Sequence, residues 1–133
     1  MKGNAVKILG ICCNWSPWAC FNQAGIAGFV LPDNFRMIRV MCIGRINQAL
    51  ILRAFEHGAD GVLLLECKDD DCRYGPGPAV GHENVERVRK LLHLLGIDQG
   101  RLVEKSFSAH ERMELMNGVR EFVSIVERMG PIT

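Results

Sequence analysis

The run GVLLL at Gly61–Leu65 limits what this chain can fold into more than any other stretch. It shows no polar alternation, so a strand built from it has no face suited to water. Such a strand needs a covering layer on each side, which predicts a parallel sheet between helices. Three further runs can join it: Val6–Ile11, Met37–Met41 and, with weaker patterning, Leu102–Phe107. Strand followed by helix recurs four times along the chain, and that alternation implies right-handed crossovers. The expected fold is α/β: a three-layer, Rossmann-like or flavodoxin-like arrangement around a four-stranded parallel sheet of order 2-1-3-4. With 133 residues the chain is long enough for one core, so residues 1–133 are expected to form a single domain.

The helices between the strands have readable ends. Asn47–His57 closes at Gly58. Asn84 can cap a helix whose apolar positions Val85, Val88, Leu91, Leu92 and Leu95 keep helical spacing before Gly96. Ser108 and Glu111 have the spacing of a capping box, and the last helix runs to Met129 ahead of Gly130 and Pro131. The connection Trp18–Val30, with its Ala and Gly residues, suits a tightly packed helix.

Charge excludes several functions. Sixteen Lys and Arg face fifteen Asp and Glu, a net charge of +1, without the basic stripe of a nucleic-acid binder. Ile8–Pro32 carries no charged side chain, yet Asn14, Ser16, Pro17, Asn22 and Gln23 interrupt it. A membrane span needs about 20 mostly apolar residues, so no span is expected and the chain is read as cytoplasmic. No G-x-G-x-x-G follows a strand, which leaves nucleotide binding unsupported. Asp69–Asp71 reads as a solvated acidic loop, and the four histidines as surface or helix-end residues.

The six cysteines carry the chemistry. A reducing compartment keeps thiols from forming a disulfide framework, so clustered cysteines there point to metal or redox chemistry. Cys12 and Cys13 follow the first strand and Cys42 the second; Cys67 lies just past the third, Cys72 in the loop beyond it. Cys20 is in the first connection. Carboxyl ends of parallel strands form the binding crevice of an open α/β sheet, so thiols from separate stretches would meet at one edge. Soft thiolates select zinc, copper(I) or iron–sulfur clusters. Cys67 and Cys72 have the C-x4-C spacing found in some [2Fe–2S] proteins. No second close pair completes a zinc knuckle, although a zinc-stabilised adaptor stays open, as do a thiol redox sensor and plain burial of small apolar Cys residues.

Several motifs together then resemble one family: CCNW at Cys12–Trp15, RVMCIGRI at Arg39–Ile46, RAFEHGADGVLLLEC at Arg53–Cys67 and CRY at Cys72–Tyr74. ERVRKLLHLLGI and RLVEKSFSA extend the likeness over nearly the whole chain. The sequence resembles the delta subunit of methyl-viologen-reducing hydrogenase. The resemblance implies an electron-relay subunit, not itself a catalyst, carrying one [2Fe–2S] cluster. Its partners would be a hydrogenase or formate dehydrogenase module and the flavin-containing large subunit of heterodisulfide reductase. Cys42, Cys67 and Cys72 are the first ligand candidates, followed by Cys13 and then Cys20, with Cys12 expected in the core. Two departures stand out. Ser16 replaces the cysteine that usually ends C-C-N-W-C, and the loop usually reading Gly-Cys-His-Pro-Gly-Asp-Cys is here ECKDDDC, Glu66–Cys72. Arg45 could offset cluster charge, and Trp15 and Trp18 could shield a cluster or anchor a partner.

Overall fold

The computed structural model describes residues 6–13, 34–40, 48–67, 77–107 and 111–132. Its elements in chain order are β1 (Ile8–Cys13), β2 (Phe35–Val40), α1 (Gln48–Glu56), β3 (Gly61–Cys67), α2 (Gly77–Leu94), β4 (Leu102–Phe107) and α3 (Arg112–Met129). All four strands are parallel, in the order β2-β1-β3-β4. Both the fold class and the strand order match the expectation from sequence.

Burial explains the layering. Val62, Leu63, Leu64 and Leu65 of β3 are all fully buried, alternate residues serving opposite faces. One face joins Ile8, Cys12, Phe35, Leu63 and Leu65 to Leu115, Val119, Phe122 and Val126 of α3. The other joins Ile11, Val62, Leu64 and Leu102 to Ile51 of α1 and to Val85, Val88 and Leu92 of α2. Gly61 opens β3 because α3 crosses it closely: a Cβ there would lie 2.8 Å from Val126 Cγ2.

The strand ends differ from the sequence reading in instructive ways. β1 starts two residues later than Val6, because Lys7 is engaged outside the ladder: its N–H donates to Asp60 Oδ2 (2.8 Å) and its carbonyl accepts from Asp60 N (2.6 Å). Cys12 and Cys13 are therefore the last residues of β1, not residues that follow it. β2 begins at Phe35, opposite Ile8, where the sequence pattern suggested Met37. β3 runs on through Glu66 and Cys67 because β4 pairs with it that far, Glu66 opposite Ser106 and Cys67 opposite Phe107.

Helix ends follow the sequence pattern less closely. α1 does close at Gly58, whose φ of +106° suits glycine. α2, however, begins at Gly77, which leaves Asn84 inside the helix and not at its cap. Pro78 falls in the first turn, where a missing N–H costs nothing. Glu111 occupies the cap position of α3 instead of its first turn, with no side-chain capping bond to that helix; Ser108, the other half of the expected capping box, lies outside the described residues. Trp18–Val30 and Asn47 also lie outside them.

Asp60 ties the amino edge of the sheet together. Besides Lys7, its carboxylate accepts from Ile132 N (Oδ1, 2.9 Å), and its carbonyl accepts from the buried Arg101 guanidinium (Nη1, 3.0 Å). Asp60→Ala would strand two backbone N–H donors and is expected to cost about 2 kcal/mol. Urea unfolding should show a lower midpoint at unchanged slope, with a smaller loss for Asp60→Asn, which keeps one acceptor oxygen.

Candidate metal centre

The carboxyl edge of the sheet consists of the last residues of the four strands: Val40, Cys13, Cys67 and Phe107 in spatial order. Backbone register sets Cys13 beside Val40 and Cys12 beside Leu65. Continuing that register one step brings Cys13 level with Glu66, so Cys67 sits one residue further out on the neighbouring strand. Adjacent strands are about 4.8 Å apart and each residue rises about 3.3 Å, which leaves the two cysteine backbones about 6 Å apart. Cys42 follows Val40 by two residues in sequence. It lies outside the described residues, as do Cys20, Cys72, Trp15, Trp18, Arg45 and Asp69–Asp71.

The structure thus brings Cys13 and Cys67 to one edge and separates Cys12 from it. Cys12 is fully buried against Leu65 and α3, the core position expected for it. Among the described residues no three His, Cys, Asp or Glu side chains gather into a metal-binding group. Among them, too, no helix is long and apolar enough to cross a membrane.

Sequence reasoning missed two acidic side chains in the sheet, Glu66 near this edge and Glu104 at the sheet's middle. Glu66 is buried immediately before Cys67. Glu104 pairs with Leu64 in the ladder, and its Oε1 is hydrogen-bonded to His82 Nδ1 on α2. Glu104 Oε2 is buried with no hydrogen-bond partner among the described residues. A carboxylate breaking an otherwise apolar, doubly covered strand was the available signal for Glu66. His82 looked like an ordinary surface histidine because nothing local links it to a residue 22 positions away. On the α3 side of β4, a cavity of about 480 Å³ opens between Lys105, Phe107, Asn117 and Glu121.

An open parallel sheet with Cys13 and Cys67 ending adjacent strands defines a small α/β protein with two soft-donor residues at its carboxyl edge. Residues 8–130 match the family described as methyl-viologen-reducing hydrogenase, delta subunit, and the chain belongs to that family. It is similar to the vhc iron-sulfur subunit of F420-non-reducing hydrogenase from Methanococcus voltae, 36% identical over 127 residues covering 96% of this chain and 88% of that one. The F420-non-reducing hydrogenase iron-sulfur subunit of Archaeoglobus profundus is 31% identical over 125 residues, 94% and 91% of the two chains. A much longer chain, from the ferredoxin:CoB-CoM heterodisulfide reductase of Methanosarcina mazei, is 35% identical over 131 residues, 98% of this chain but only 16% of that one.

The His82–Glu104 pair has a pH signature. The hydrogen bond to Glu104, and then the attraction of its charge, raise the His82 pKa above its ordinary 6.5. A raised histidine value means that the stabilisation is fully present below 6.5 and fades as pH climbs through the folded-state value. His82→Gln should therefore lower thermal stability at about pH 5.5 and have little effect at about pH 8.5, as melting curves of both proteins would show.

Proposed function

We propose that this chain is an electron-transfer subunit that carries one [2Fe–2S] cluster within a single domain, residues 1–133. It passes electrons between a hydrogenase or formate dehydrogenase module and the flavin-containing large subunit of heterodisulfide reductase. The observation that carries the reading is the arrival of Cys13 and Cys67 at one sheet edge, with β2 ending beside them just ahead of Cys42. The donor set fits the group: thiolates are the ligands that iron–sulfur clusters take, and four are needed. Four of Cys13, Cys20, Cys42, Cys67 and Cys72 would supply them. The relatives named as iron-sulfur subunits support the cofactor, and the heterodisulfide reductase relative supports the partner.

When bound, the cluster takes up and gives back single electrons. The chain's own part is to hold the thiolates in place and keep water from them. Strand ends suit the first task, because ladder hydrogen bonds fix the backbone of Cys13 and Cys67. Ile11, Leu64, Leu65 and Phe107, all buried next to that edge, form an apolar floor suited to the second. The reading places the protein in the reducing cytoplasm, where thiols stay available for loading.

Anaerobically purified protein should contain about two irons and about two acid-labile sulfides per chain. A Cys42→Ala, Cys67→Ala double variant should lose both, and retention of iron in it would remove this ligand assignment. About one zinc per chain without sulfide would instead make the protein a zinc-stabilised adaptor.

A further inference from the structure

Leu91 and Leu95 keep helical spacing with Val85, Val88 and Leu92, but of these five the last three alone reach the core. Leu91, Leu94 and Leu95 are 37%, 80% and 69% exposed. They cluster where α2 ends, at the amino edge of the sheet. Arg87 and Lys90, each one turn before a leucine of the cluster, are exposed and have no ion-pair partner among the described residues. Exposed leucines beside uncommitted cations form a surface that the electron-relay reading does not use.

The fold indicates what covers it. Both ends of the described chain are anchored at this same edge, Lys7 and Ile132 each donating a backbone hydrogen bond to the Asp60 carboxylate. The turn that follows the leucines is held there as well, through Arg101 on the Asp60 carbonyl. In the heterodisulfide reductase relative, a region similar to 98% of this chain makes up 16% of a single polypeptide. The rest of that polypeptide must join the shared region through one or both of its ends. Either end delivers it to the edge that bears Leu91, Leu94 and Leu95.

We infer that the Leu91–Leu94–Leu95 patch is the structural docking site for the large subunit of heterodisulfide reductase, its apolar centre received by an apolar surface and Arg87 and Lys90 by carboxylates. This rests on the partner assignment proposed above and adds where the contact lies. The patch is separated from the cysteine edge by the length of the sheet, about 20 Å for a six-residue strand. Docking here holds the domain on its partner and leaves the carboxyl edge open to the groups that exchange electrons.

The test is the affinity of the full, iron-loaded chain for the separately purified large reductase subunit, for wild type and for the Leu94→Gln, Leu95→Gln double variant. The variant should bind about tenfold more weakly or worse, with iron, sulfide and melting temperature unchanged. Lys90→Glu should weaken binding too, and raised salt should weaken wild type towards it. Equal affinity of wild type and double variant overturns the docking site while the proposed function stands. A wild-type chain that does not bind the large reductase subunit overturns the partner assignment, and the docking site with it. Wild-type self-association or binding to anionic phospholipid vesicles that the double variant abolishes, with reductase binding intact, assigns the patch to that occupant and overturns the inference.

Discussion

Burial of β3 on both faces is the constraint from which the rest follows. Val62, Leu63, Leu64 and Leu65 are fully buried, and each aliphatic side chain removed from water contributes about 1.5–3 kcal/mol. No single layer could cover all four. Helices are needed on both sides, and a helix between consecutive strands lets the strands run parallel. Parallel strands in turn put every carboxyl end at one edge. The arrival of Cys13 and Cys67 at one edge is thus a consequence of topology.

The same topology assigns different work to the two edges. At the amino edge Asp60 gathers the first residues of the fold, the last ones and the turn before β4 into one set of hydrogen bonds. Lys7, Asp60, Arg101 and Ile132 are committed to each other there. At the carboxyl edge Val40 and Phe107 still pack against the core, and Cys13 and Cys67 end the two strands between them. Such a division lets the chain change its chemistry at one edge without loosening the other.

Much of this was legible in the sequence, and the limits have physical causes. β4 does run over Leu102–Phe107, the span its weak pattern suggested. The end of β3 was not legible, since only pairing with β4 carries Glu66 and Cys67 into the ladder, and pairing is not a local property. Asn84 has the chemistry of a cap, but Pro78 offers an earlier start and the helix takes it. Leu91 and Leu95 keep helical spacing with Val88 and Leu92, yet the direction of the core is set by the sheet beneath α2, which leaves them outside. For the candidate site, the arrival of Cys13 and Cys67 at one edge followed from strand order, whereas Cys20, Cys42 and Cys72 belong to connections whose paths no periodicity encodes.

Cys12 and Cys13 show how narrow the boundary between structure and chemistry is. They are adjacent, and the register that sets Cys12 beside Leu65 commits it to the core as a small apolar side chain. One residue later the strand ends. A shift of β1 by one residue would exchange the two and bring every other side chain of the strand to the wrong face. Ile8 and Ile11, packed into opposite clusters, resist that shift. The hydrophobic pattern of β1 therefore does more than build the core: it spends one of two chemically identical residues on packing and leaves the other at the strand's end.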